Sequence, residues 1–368
     1  MKIFPFQAIY PNLDFISSTD SFCDSVKENY LEYKQSGFFH RASRDALYIC
    51  QIESKDRTYT GLIGCIDTEA YHEGRIIPHE GILPHKEQKQ IQLILRRNAA
   101  VKPVLLTHPP VEALRERITA YLEGRRPLFS ISFDEADFQS RFWQITEGEA
   151  IREIQLLFEK HIAEVYIADG HHRTAANALL HRRSKGKGRP VYGQLLSAFF
   201  DTRELEILDF NRVVHGLGDH SPTRFMAGIA RIFEIEPLTS PVKPSHKHEL
   251  IMWINREWYR LTLRQKIREA YEGEKIVLDA MILNELVMTK LLGIEDVRTD
   301  ARVQFVEGPA GLEAIAKTAQ QAEKSVGFCL YPVKIGEMMK LADEGKVLPP
   351  KSTWFEPRLQ TGLIVYEF

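Results

Sequence analysis

The residues with the densest capacity for chemistry are Asp169, Gly170, His171, His172, Arg173 and Thr174. They join an apolar run at 165–168 to an Ala-rich segment. This pattern predicts a strand that turns through glycine into a helix. The first turn of a helix leaves backbone N–H groups without intrahelical partners, and the helix dipole favours negative charge there. Gly170 lets the backbone bend and come close to a ligand. Arg173 adds a planar, permanently charged fork suited to phosphate, and Thr174 adds a hydroxyl. The chemistry implied is anion binding. A metal is the weaker reading, because neighbouring helical residues point about 100° apart and His171 and His172 grip one ion poorly. The plain alternative is a helix capped by Asp169 with its histidines facing solvent.

Two further clusters carry polar groups on irregular backbone. In "IIPHEGILPH", His79, Glu80 and His85 sit in a Pro- and Gly-bounded loop before a helical pattern. Glu80 suits a general base oriented by His79, or else caps the helix that follows. In "LPPKSTWFEPRLQTG", Lys351, Ser352 and Thr353 form a set of donors held between prolines. They read either as a phosphate or carboxylate clamp or as a tail tied onto the core.

The elements that must position these groups alternate between strands and helices. "DALYICQIES" and "TYTGLIGCID" read as a hairpin closed by "KDR", and residues 86–98 have helical spacing. "KPVLLTH" reads as a short buried strand. Residues 111–160 read as an insertion of helix, two strands and helix. "RRSKGKGRP" reads as a basic surface loop, and a composition change near Asp219 marks a domain boundary. Beyond it come a strand pair at 249–265, an amphipathic helix ending at Gly293, a strand in "VGFCLYPV", and a helix capped by Gly345. The expected class is α/β (α+β), with regions 1–218 and 219–368.

The composition is that of an ordinary globular chain: 368 residues, 44% apolar and 27% charged, with a formal net charge of -2. That balance supplies no global attraction to nucleic acid or to an anionic membrane. No apolar run reaches the roughly 20 residues of a spanning helix. Cys23, Cys50, Cys65 and Cys329 form no CxxC pair and read as buried, reduced thiols. The cytoplasm is the expected location.

Three motifs in order, "IIPHEGILPHKEQKQIQLILRRN", "VYIADGHHRTAA" and "LPPKSTWFEPRLQTGLI", resemble the family called domain of unknown function 1015, over essentially the whole chain. The order "PHE", helix, short strand, then "DGHHR" at a helix start is more distantly similar to archaeal free-serine kinases. Those share a fold with the ParB partition protein's N-terminal domain and sulfiredoxin. The resemblance implies a ParB/sulfiredoxin-like core carrying the 111–160 insertion, with a C-terminal α+β region that closes the site. About fifty extra residues separate the two motifs here. Histidines stand where sulfiredoxin has its cysteine, and no helix-turn-helix follows as in ParB.

Carried onto this chain, residues 169–174 become the phosphate element, Glu80 the base, His79 its neighbour, and Asp169 a holder of Mg²⁺, directly or through water. The function implied is a nucleotide-dependent phosphotransferase, using ATP or ADP, that acts on a small hydroxylated metabolite, with Lys351 and Ser352 shaping the acceptor pocket. A nucleotide-binding switch without turnover is the alternative. A third reading is a metal-dependent hydrolase using His79, His85, His171 and His172.

Overall fold

A strand pattern that is apolar almost end to end needs cover on both faces, and this chain builds its first sheet from such strands. The computed structural model describes residues 1–54, 57–133, 138–185, 192–271, 273 and 276–368. It falls into two compact units, one formed by Met1–Glu206 with Pro357–Phe368 and the other by Ile207–Glu356. The chain therefore divides after Glu206 and not near Asp219. The reason is that Phe210–Val214 is already a strand of the second unit's sheet. The last twelve residues rejoin the first unit.

In the first unit, β1 (Ile3–Phe4) precedes helix α1 (Thr19–Gln35). Strands β2 (Leu47–Glu53) and β3 (Thr58–Asp67) then form the expected antiparallel hairpin, with Gln51 opposite Thr60. The short β4 (Ile76–Ile77) leads to helix α2 (Pro84–Arg97) and β5 (Val104–His108). Helix α2 starts with proline in its first turn, buries Ile91, Leu93 and Ile94, and stops at Asn98 in the left-handed conformation, φ 49°.

The 111–160 segment contains helix α3 (Glu112–Leu122), β6 (Phe129–Phe133), β7 (Phe138–Ile145) and helix α4 (Gly148–His161). It adds two strands to the edge of the same sheet, because β7 pairs with β2 over seven residues. Strand β8 (Val165–Asp169), helix α5 (His171–Ser184) and β9 (Gln194–Asp201) complete the unit. The strand order is β4-β8-β5-β9-β3-β2-β7-β6, with β1 on β3. Phe158 of α4 is fully buried and meets Phe199 edge-on, ring centroids 5.1 Å apart. The basic loop expected at 182–190 falls largely on 186–191, outside the described residues.

The second unit is α+β. Its strands β10 (Phe210–Val214), β11 (Phe233–Leu238), β12 (Glu249–Ile254), β13 (Glu257–Leu263), β14 (Val303–Glu307) and β15 (Val326–Cys329) form one antiparallel sheet in the order β11-β13-β12-β15-β10-β14. The amphipathic segment beginning at Asp279 is helical, with a π-helical stretch at Leu283–Thr289. The four cysteines are buried and free. Among the described residues no helix is long and apolar enough to cross a membrane.

Truncating Phe158 to alanine should destabilise the first unit by about 3–5 kcal/mol, the usual cost of emptying an aromatic site in a core. Urea unfolding of the variant reads this directly. A loss below about 1 kcal/mol would mean that α4 does not anchor the sheet.

Candidate functional site

Strand β8 delivers the Asp169–Arg173 turn to its position. It lies parallel to β4 and antiparallel to β5, and its register against β5 shifts between Ile167 and Asp169. Such a bulge re-aims the side chain that follows it. Gly170 then takes φ 108°, and α5 begins with no side chain capping its N-terminus. The expected strand–glycine–helix junction is therefore present, and Asp169 is not the cap. The alanines of α5 allow close approach to α2, where Ala176 and Leu180 pack against Ile91 and Ile94.

Around the first turn of α5 the side chains go two ways. On one side, His171 is buried and its Nε2 accepts a hydrogen bond from the His79 backbone N–H at 3.3 Å. That contact places the ring proton on Nδ1, which stands 3.8 Å from Glu80 Oε2. The His79 and His171 rings meet edge to face at 4.4 Å. Burial pushes His79 down to about 4, against the opposing pull of its bond to the Ile167 carbonyl. Burial and then the neighbouring His79 push His171 well below its ordinary value. Both are neutral at physiological pH, and His171 Nδ1 lies near, but beyond hydrogen-bond distance of, a carboxylate that is one-third exposed.

On the other side, Arg173 folds back over Gly170. A Cβ at that glycine would lie 2.7 Å from Arg173 Nη2, so a larger residue would displace the guanidinium, and the φ of 108° itself favours glycine. Arg173 Nη2 donates to Asp169 Oδ2 at 3.0 Å and to the Pro103 carbonyl at 3.3 Å. Lys102 Nζ stands 3.9 Å from the same carboxylate oxygen. Burial alone would raise Asp169, but Arg173, Lys102 and Arg358 outweigh it and hold the carboxyl far below its usual range.

Arg173 also lines a cavity of about 170 Å³ together with Lys27, Arg97, Lys102, Asn177 and Thr361, over an apolar floor that includes Leu93, Val104 and Leu195. Four cations face this space, and among the described residues no carboxylate lines it. Arg97 is buried, with Nε bonded to the Leu93 carbonyl at 2.9 Å, and burial lowers it to about 10. Lys102 is lowered to about 8, chiefly by burial, with Arg173, Arg358 and Lys27 adding to the shift against Asp169. Lys27 is exposed, but Arg97 is buried and Lys102 and Arg173 are partly buried, and an anion beside such like charges relieves the cost of holding them together.

The remaining expected residues stand in surroundings of their own. Thr174 is fully buried and its hydroxyl bonds the Gly170 carbonyl at 3.2 Å, so it braces the turn. His172 is half-buried, beside His171 at the helix start, and His85 is exposed. Among the described residues no group of three or more His, Cys, Asp or Glu could hold a metal ion. Asp169 is also a poor Mg²⁺ ligand here, because Arg173 and Lys102 already compensate its charge.

Lys351, Ser352 and Thr353 belong to the second unit. There Lys351 lies over the Phe210 ring at 4.8 Å, the buried Ser352 donates to the Pro349 carbonyl at 2.7 Å, and Thr353 is half-buried. The first two contacts match a tail tied onto its core. From the same C-terminal motif it is Arg358 and Thr361 that reach the cation site.

The profile of the family described as "Protein of unknown function (DUF1015)" matches residues 7–284. The chain belongs to this family. No curated protein matches it. Among solved structures it is similar to a free serine kinase in complex with AMP, at 13% identity and a TM-score of 0.39, spanning 80% of this chain and 86% of that one. It is also similar to a conserved hypothetical protein from Pyrococcus furiosus, at 14% and 0.38, spanning 81% and 93%. A third likeness is to SbnI with a C-terminal truncation from Staphylococcus aureus, at 12% and 0.43, spanning 81% and 85%. Likenesses this loose assign no residue a role.

Lys102 provides a pH signature. A bound anion favours its charged form and raises its pKa, so affinity is greatest below the free value of about 8 and is lost as pH rises through it. Sulfate keeps its charge over this range. Its affinity by calorimetry at constant ionic strength should fall about threefold or more between about pH 7 and about pH 9.5. Lys102→Met should bind more weakly and show a flat profile. A flat profile in the native protein would separate Lys102 from anion binding.

Proposed function

We propose that the first unit binds a nucleotide, ATP or ADP, through its phosphates and transfers a phosphoryl group to the hydroxyl of a small metabolite. The observation that carries this reading is the cavity faced by Lys27, Arg97, Lys102 and Arg173, which no carboxylate among the described residues lines. At about 170 Å³ it is smaller than the roughly 300–1,000 Å³ of pockets that enclose whole ligands. It suits one anionic end of a ligand whose remainder lies outside it.

Residues 171 and 173 project from nearly opposite sides of the helix. A phosphate chain laid across the N-terminus of α5 would therefore run from the cation side towards Glu80. The uncapped N–H groups of the first turn would donate to its oxygens. Phosphoryl transfer is mainly positioning and charge stabilisation. In this reading Arg97, Lys102 and Arg173 supply the compensating charge, and Gly170 lets the phosphates approach the backbone. Glu80 accepts the proton of the attacking hydroxyl. His171, held neutral with Nδ1–H towards Glu80, stands beside the carboxylate and is itself held by the His79 N–H. Mg²⁺ accompanies phosphoryl transfer widely, but the donors around Asp169 do not form a site for it, and no step here depends on it.

Glu80→Gln preserves shape and removes the proton acceptor. It should lower transfer by about 10²- to 10⁴-fold with little change in nucleotide affinity. Arg173→Ala removes a charge-assisted contact and should weaken nucleotide binding by about 10- to 150-fold. Calorimetry with ATP and ADP, and transfer to a panel of amino acids and small alcohols, measure the two effects separately. Full transfer by Glu80→Gln would remove Glu80 as the base. Tight nucleotide binding with no transfer to any acceptor would make the protein a nucleotide-binding switch.

A further inference from the structure

A second cavity in the first unit, of about 460 Å³, opens at the other end of β5 and lies under helix α3. Its walls are Leu62, Leu114, Ile118, Leu122 and Phe199, and its polar groups gather where β5 and β9 end side by side, with His108 opposite Asp201. Its size falls within the range of small-molecule sites, and an apolar wall with a few convergent polar groups is their usual make-up.

The polar groups at the strand ends, His108, Asp201 and Glu204, are acceptors. His108 is 3% exposed, and its Nδ1 is 2.7 Å from the Pro109 carbonyl, so Nδ1 carries the ring proton. Nε2 is left as a lone-pair acceptor in the wall of the cavity, with no partner among the described residues. Asp201 and Glu204 add carboxylates beside it. Glu204 accepts from the Thr60 N–H at 2.9 Å, and Asp201 is bonded to Arg203 at 3.0 Å. Among the described residues, Asp201, Glu204 and Glu123 line the space with one lining cation, the exposed Arg115, and Arg203 compensates Asp201 from outside the lining, which leaves Glu204 and Glu123 as the excess negative charge. A lone-pair acceptor on a buried ring that lines a roomy cavity, with carboxylates beside it, favours a ligand that brings N–H donors and positive charge. The long apolar wall favours a hydrocarbon body.

We infer that this cavity binds a small organic amine with an apolar body, its ammonium group at the His108–Asp201 end and its hydrocarbon against α3. The site is independent of the cation-lined cavity, which has the opposite charge and sits at the opposite end of β5.

The test is calorimetry on the full-length protein with phenethylamine, its uncharged isostere 2-phenylethanol, and 3-phenylpropionate. Phenethylamine should bind, the alcohol at least about tenfold more weakly, and the carboxylate not at all. His108→Leu removes the acceptor and should weaken the amine by about tenfold or more. Thr119→Trp, on the exposed face of α3 at the rim, fills the mouth and should abolish binding without disturbing the core. Sulfate binding should be unchanged in both variants. Phenylalanine separates two sources of the amine: tighter binding that falls in Arg115→Met identifies amino acids, and weaker binding identifies simple amines. Failure of phenethylamine to bind, equal binding of 3-phenylpropionate, or full amine binding by Thr119→Trp would each overturn the proposal.

Discussion

Burial of Arg97 and Lys102 beside Arg173 is the constraint on which the functional reading depends. Arg97 and Lys102 both pay enough for desolvation to be pulled well below their ordinary values. Asp169 offsets part of that cost for Lys102 and Arg173, and it does so from the end of a strand, outside the cavity lining. An ion cluster retained for folding alone would be expected to carry matched carboxylates, because an unmatched buried charge destabilises the native state. In the proposed reading an entering anion relieves the imbalance.

The backbone is shaped around the same feature. Strand β8 bulges before Asp169, Gly170 adopts a conformation that favours glycine, and the Arg173 guanidinium occupies the space a Cβ would take. Small residues in α5 bring α2 close enough for Arg97, at the C-terminal end of α2, to face Arg173 across the cavity. On the far side of the turn, His79 and His171 form a neutral, hydrogen-bonded pair that leaves Glu80 partly exposed. One turn of helix thus separates a region of positive charge from the Glu80 carboxylate, which the proposed reaction would use to take a proton. Phosphoryl transfer needs that separation of roles.

Much of this was legible in the sequence where the signal was local. The hairpin at 47–67, helix α2, the strand–glycine–helix junction and the α/β class follow from periodicity, glycine and proline. The insertion at 111–160 was legible as elements, but its extension of the main sheet was not, since strand pairing is non-local. The cations were the main omission. Arg97 lies in the last turn of a helix, where a basic residue is expected for dipole reasons, and Lys102 lies in a short link before Pro103. Neither position distinguishes itself from solvated surface until the fold buries it. The C-terminal motif divides between the two units, with Lys351 and Ser352 in the second and Arg358 and Thr361 in the first. Lys351 and Ser352 make local contacts in the second unit, and Arg358 and Thr361 reach the cation site. His108 reads in sequence as an ordinary strand end, and only the packing of α3 over it reveals the second cavity.

The most direct test of the central claim is anomalous diffraction from crystals of the full-length protein soaked in selenate, a divalent oxyanion that scatters strongly. The account predicts a selenium peak in the α2–α5 cavity, within hydrogen-bond reach of Lys102 Nζ and the Arg97 and Arg173 guanidinium groups. Selenate ordered only at other surface positions, with this cavity occupied by water alone, would contradict it.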